Sequence, residues 1–168
     1  LVGFISSDWI ERYLRNPLII AITLAFYGAL MWVADKKGSK KIAIQNIGYL
    51  QAIIIGFAQV LALIPGTSRS GITMTAGLFL GMKRIDAAKF SFLMSIPVIM
   101  LAAGYKVLII FLNNIDVAWN ELFFGMVISL IIAYLSIGFF MKVLQKIGLM
   151  PFAVYRILLS ILIIWVFF

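Results

Sequence analysis

The chain alternates between long uncharged apolar runs and short polar breaks. The run lengths separate helices that can cross a bilayer from one pair that cannot. A hydrocarbon core of about 30 Å takes roughly 20 helical residues. Leu18 to Ala34, "LIIAITLAFYGALMWVA", carries no charge and closes on the polar turn "DKKGSKK", Asp35 to Lys41. Phe90 to Leu112 is a further long run, with Lys106 near one end and Pro97 predicted to kink it. Leu122 to Met141 is uncharged throughout. Met150 to Phe168 carries one charge, Arg156, one to two turns inside. Between the first two runs, Ile42 to Ile64 leads into "PGTSRSG", Pro65 to Gly71, and the apolar stretch Gly71 to Met82 follows, ending at Lys83 and Arg84.

That last stretch is the informative one. At 1.5 Å per residue its dozen residues cover about 18 Å, little over half the hydrocarbon thickness. It predicts the returning arm of a re-entrant hairpin over about residues 42–82. Irregular backbone at membrane depth is tolerated only where protein buries it or a wet cavity meets it, so the polar loop is expected to floor a pocket. The fold class expected is an all-α integral membrane protein. It is a multi-span helical bundle with a re-entrant helix pair, and residues 1–168 form a single membrane domain.

Composition agrees. The chain is 64% hydrophobic and 12% charged, with a mean hydropathy of +1.14, where soluble domains run at about 45–50% and about 25%. There are no cysteines and no histidines, which excludes disulfides, thiolate metal sites and imidazole acid–base chemistry in these residues. The net charge of +8 points to membrane orientation rather than nucleic acid, because the basic residues flank apolar runs. With a re-entrant hairpin, Lys36, Lys37, Lys40, Lys41, Lys83, Arg84, Lys89, Lys142 and Lys146 fall on one face, which the positive-inside rule makes cytoplasmic. Arg12, Arg15, Lys106, Asp116, Glu121 and the C-terminus then face outward. The chain opens on Leu1 without a signal-peptide pattern in "LVGFISSDWIERYL", and it reads as a fragment of something longer.

The loop is built for an anion. Pro65 removes a backbone donor and restrains Ile64. Gly66 and Gly71 allow backbone angles and approaches that side chains block, and Gly71 opens a helix whose N-terminus favours negative charge. Thr67, Ser68, Ser70 and Thr73 add hydroxyls, and Arg69 supplies a planar fork that matches phosphate oxygens. A nucleotide-binding P-loop is disfavoured, since Ile72 stands where its lysine belongs. An ion-paired, structural Arg69 is the other reading, although no Asp or Glu lies between Asp35 and Asp86. Arg156 sits near the basic end of its span and reads as a snorkelling side chain.

"LALIPGTSRSGITMTAGLFLGMKR", continuing into "DAAKFSFLMSIPVIM" and later "MPFAVYRI", closely resembles the bacterial undecaprenyl-diphosphate phosphatase family, also called bacitracin-resistance proteins. The resemblance runs over essentially the whole chain. It implies an inner-membrane enzyme that removes the terminal phosphate of a C55 isoprenyl diphosphate, returning the monophosphate carrier to peptidoglycan synthesis. It also implies one half of an inverted-repeat fold, with loops meeting in a cavity open to the outer face. Arg69 and Ser68 would be the catalytic residues, with Gly66, Thr67, Ser70, Gly71 and Thr73 holding the substrate. A divalent cation, Mg²⁺ or Ca²⁺, is implied as cofactor. The family's earlier motif, rich in glutamate and ending in serine and histidine, has no counterpart here. The acid–base groups and metal ligands are therefore expected in a missing N-terminal half, and these 168 residues alone are expected to be inactive. A carrier translocase that binds an isoprenyl phosphate without hydrolysis is the alternative, because half-helix N-termini at mid-depth are also a transporter design.

Overall fold

The computed structural model describes residue 14, residues 16–113 and residues 116–167. Arg12 and Arg15, expected on the outward face, lie outside the described residues, as does the N-terminal stretch from Leu1. Among the described residues six α-helices follow one another: α1 Pro17–Lys37, α2 Tyr49–Val60, α3 Arg69–Phe79, α4 Arg84–Leu112, α5 Trp119–Ile147 and α6 Met150–Phe167. Helix α1 starts where Asn16 accepts the Leu18 N–H at 2.9 Å and Pro17 supplies a pre-set first turn. Helices α1, α4, α5 and α6 are long and apolar enough to cross a membrane, and the chain folds as a multi-span helical bundle. Pro97 lies inside α4.

Helices α2 and α3 have only 12 and 11 residues, about 17–18 Å each. The incoming arm is not helical from Ile42, as the apolar run suggested. Residues Ile44–Asn46 make a single 3₁₀ turn, and α2 begins at Tyr49 because Gln51 Oε1 folds back to accept the Gly48 N–H at 2.8 Å. At its far end α2 tightens into a 3₁₀ turn, Leu61–Leu63, and Ile64 is extended at φ −72°, ψ 122°, the conformation a following proline imposes.

The two ends of this hairpin meet. The N–H groups of Lys41 and Ile42 donate to the Gly81 carbonyl, and Lys83 N–H donates to the Ile42 carbonyl, all at 2.9 Å. The chain thus leaves for the loop and comes back to one point.

Helix α3 is wedged among α1, α2 and α4 and buries Ile72, Thr73, Met74, Thr75, Gly77 and Leu78. Helices α1 and α6 pack along their length through small residues. Ala21, Ala34, Ala153 and Ser160 are buried there, and Ser160 Oγ donates to the Ala21 carbonyl at 2.6 Å. A Cβ on Gly28 would lie 3.2 Å from Arg156 Cβ, so the backbones approach closely beside that arginine. The apolar core, including Met31, Leu78, Met82, Leu144 and Leu149, sits toward the lysine-rich end.

Asp35 ties that end together. Its carboxylate accepts from Arg84 through both Nε and Nη2, the latter at 3.0 Å, and from the Leu149 N–H at 3.1 Å, with Lys40 Nζ at 3.6 Å. The end of α1, the start of α4 and the α5–α6 turn therefore converge on one carboxylate. Gly148 allows it, with φ +74° and no room for a side chain between Asp35 and Arg84.

Candidate functional site

The loop from Pro65 to Ser68 is held from two sides. Thr23 Oγ1 on α1 lies 2.7 Å from the Pro65 carbonyl. Arg156 Nη2 on α6 donates to the Gly66 carbonyl at 2.6 Å. Gly66 has φ +88°, and a Cβ there would run into Thr23 Oγ1 and come within 2.7 Å of the Ile20 carbonyl. Only glycine satisfies both the left-handed backbone and that proximity. Thr67 N–H closes the turn on the Ile64 carbonyl at 3.1 Å.

Ser68 then caps α3. Its backbone is extended and its Oγ accepts the Gly71 N–H at 3.1 Å, while Ser70 Oγ lies 3.4 Å away. One of the helix's orphan amides is satisfied in this way. Those of Arg69 and Ser70 stay at its positive end.

Ser68, Ser70, Gly71 and Arg156 share the wall of one cavity of about 190 Å³; the rest of that wall is apolar and comes from α1, α3, α5 and α6. Arg156 is 9% exposed. Its Nη2 is used by Gly66, and its Nε is buried with no partner among the described residues. A Cβ on Gly71 would stand 3.8 Å from Arg156 Nη1, which sets the guanidinium against the opening of α3. Among the described residues neither Arg156 nor Arg69 is ion-paired; the ion pairs of Asp35 go to Arg84 and Lys40. A buried guanidinium with an unused donor thus lies beside two hydroxyls and a helix N-terminus, donor types whose chemistry suits phosphate oxygens.

The remaining residues singled out from the sequence do not line this cavity. Arg69 is half-buried, and its Nη1 has no hydrogen-bond partner among the described residues; Thr67 Oγ1 and Gln59 Oε1 share that condition. Thr73 is buried, its Oγ1 lying 3.0 Å and 3.2 Å from the carbonyls of Arg69 and Ser70 and 2.7 Å from Ser91 Oγ. That hydroxyl joins α3 to α4. Arg156 is the residue that sequence reasoning undervalued. The available signal was a lone charge one to two turns inside an otherwise uncharged span, a position that is functional by default. Among the described residues no three His, Cys, Asp or Glu side chains converge, so these residues do not fit a divalent-cation site.

Comparison with known proteins gives the family. Residues 1–162 match the family model described as bacitracin resistance protein BacA. An undecaprenyl-diphosphatase of Alcanivorax borkumensis is 48% identical over 164 residues, covering 97% of this chain and 62% of that protein. One of Teredinibacter turnerae is 49% identical over 162 residues, covering 96% and 61%. One of Chromohalobacter salexigens is 48% identical over 167 residues, covering 99% and 63%. The chain spans about three-fifths of the length of these relatives. The cavity-lining serines and the buried Arg156 are therefore features of a chain that belongs to the bacitracin resistance protein BacA family.

Proposed function

We propose that these residues carry the diphosphate-holding part of an undecaprenyl-diphosphate phosphatase of the bacterial inner membrane. The observation that supports it most is the arrangement around Arg156: its Nε has no partner among the described residues, and its side chain lines one cavity with Ser68, Ser70 and the N-terminus of α3. Hydrolysis forms a bond from a water oxygen to the terminal phosphorus and breaks the bond to the bridging oxygen, which leaves with the lipid monophosphate. Negative charge grows on the bridging and terminal oxygens as this happens. Preorganised N–H and guanidinium donors in an apolar surround stabilise such charge. Ser68 Oγ already accepts the Gly71 N–H, so its own proton is available to a phosphate oxygen. Arg69 is not on the cavity wall, but it stands between Ser68 and Ser70, which are, and with an unpartnered Nη1 it adds a second positive charge beside the cavity.

The helix pair is read as re-entrant, entering from and returning to the lysine-rich, cytoplasmic face, with the C-terminus outward. Its short arms and hydrogen-bonded ends support this. The inverted-repeat partner, the acid–base groups and the ligands of an Mg²⁺ or Ca²⁺ ion are placed outside the described residues, and no step is assigned to the ion.

The test is phosphate release from undecaprenyl diphosphate by the protein expressed from its complete native reading frame, purified in detergent. The wild type is expected to release phosphate. Arg156→Lys and Arg69→Lys are each expected to lower kcat by about 100-fold, the usual consequence of losing one transition-state donor. A wild type that releases none overturns the assignment. Binding without release moves it to a lipid-carrier translocase.

A further inference from the structure

Away from the Arg156 cavity, the lysine-rich end of the α4–α5 pair carries two hollows that meet at Ile137. The first, of about 420 Å³, is lined by Ile44 of the 3₁₀ turn, Lys89, Phe92 and Leu93 of α4, and Ile137 and Met141 of α5. The second, of about 530 Å³, is cut into α5 by Tyr134, Leu135, Ile137, Gly138, Phe139 and Lys142. A Cβ on Gly138 would meet nothing within 4 Å, so no described side chain fills that notch. The two helices run antiparallel, with Phe92 against Phe140 at 5.8 Å toward one end and Phe111 against Trp119 at 6.5 Å toward the other. Lys89 is five residues from the start of α4 and Lys142 five from the end of α5, which sets both at one depth, about 7–8 Å in. The apolar lining lies deeper on each lysine's own helix face: Phe92 and Leu93 after Lys89, Gly138 and Leu135 before Lys142. Both lysines are exposed, and neither is ion-paired among the described residues. Asp86 lies one turn before Lys89, and the other carboxylate on these two helices, Glu121, is at the far end of α5.

We infer that this surface binds a membrane phospholipid of net negative charge, its phosphate between Lys89 and Lys142 and one acyl chain in each hollow, on either side of Ile137. The inference needs only that the bundle spans a membrane and does not rest on the phosphatase reading. The order of the lining, a cation at the polar end and apolar side chains below it, is the order of headgroup and chains in a phospholipid. A soluble anion would use the lysines and leave the hollows unfilled, whereas two chains bury apolar surface in both. Charge complementarity sets the lipid class. A zwitterionic headgroup brings its own cation against two lysines, while a net-negative one supplies the counter-charge they lack. Basic pockets between membrane helices suit such headgroups, and each lysine near the membrane surface adds about fivefold in affinity for anionic lipid.

The experiment titrates the complete native protein in detergent with dioleoyl phosphatidylglycerol or with dioleoyl phosphatidylcholine and reads bound lipid by native mass spectrometry. The wild type is expected to bind one phosphatidylglycerol about tenfold or more tightly than phosphatidylcholine. Lys89→Gln and Lys142→Gln are each expected to weaken phosphatidylglycerol by about fivefold and to leave phosphatidylcholine unchanged. Lys36→Gln, on α1 at the same end, is expected to change neither. Gly138→Leu fills the second hollow and is expected to weaken both lipids alike. Equal wild-type affinities for the two lipids overturn the inference. So does a preference that Lys89→Gln and Lys142→Gln leave intact, the result expected if the rest of the native chain or a second copy covers this face. A loss in Lys36→Gln equal to theirs reduces the effect to diffuse surface charge and overturns it as well.

Discussion

Two polar clusters anchor this bundle, and they differ in one respect. At the lysine-rich end, Asp35 is 4% exposed and its carboxylate is fully engaged by Arg84, the Leu149 N–H and Lys40. At the loop, Arg156 Nε, Arg69 Nη1 and Thr67 Oγ1 are buried with no partner among the described residues. Buried polar groups are normally satisfied, so the saturated cluster acts as a joint, while the phosphatase reading assigns the unsaturated donors to ligand. The saturated cluster joins the end of α1, the start of α4 and the α5–α6 turn. The unsaturated one sits where α1 and α6 grip an irregular loop. Both contain a buried charge; the difference is whether the described residues supply the counter-charge.

Substitutions separate the two. Arg156→Ala removes the guanidinium and the clamp on Gly66, and is expected to cut phosphate release by about 100- to 1,000-fold, measured in initial-rate assays on protein that still elutes as a folded species. Asp35→Asn leaves Arg84 without its counter-charge. It should destabilise the bundle toward the lower end of about 3–5 kcal/mol, because Arg84 is only partly buried. Thermal melting in detergent reports that loss, with turnover per folded molecule retained. If Asp35→Asn instead abolished turnover in a protein of unchanged melting temperature, the division between structural joint and ligand site would fail. Gly66→Ala forces a side chain onto a left-handed backbone beside Thr23 and should cost about 1–3 kcal/mol of stability, together with turnover, because the loop must shift. Thr23→Val removes one hydrogen bond to the Pro65 carbonyl. It is expected to cost about 1 kcal/mol and a few-fold in kcat.

Much of this arrangement was legible in the sequence. Uncharged run lengths located α1, α4, α5 and α6, and the shortness of the stretch after the loop marked a helix that could not cross by itself. Pro65, the two glycines and the hydroxyls marked the loop as an irregular polar break between two short helices, and Ser68, Ser70 and Gly71 do line the cavity. What stayed hidden depended on packing between distant segments. The bond from Arg156 to Gly66 spans 90 positions, and nothing local to α6 shows that its first turns lie against that loop. Thr73 looked like one more loop hydroxyl, but helical phase turns it toward Ser91 on α4. The late start of α2 came from one side chain, Gln51, whose bond to Gly48 interrupts an apolar run that hydropathy alone extends to Ile42.

The central claim is that the open donors around Arg156 hold a diphosphate. The most direct measurement is a structure of the complete native protein with bound farnesyl methylenediphosphonate. The account predicts phosphonate oxygens within hydrogen-bond reach of Arg156 Nε and the hydroxyls of Ser68 and Ser70. A headgroup bound elsewhere, with Arg156 still donating to the Gly66 carbonyl alone, would contradict it.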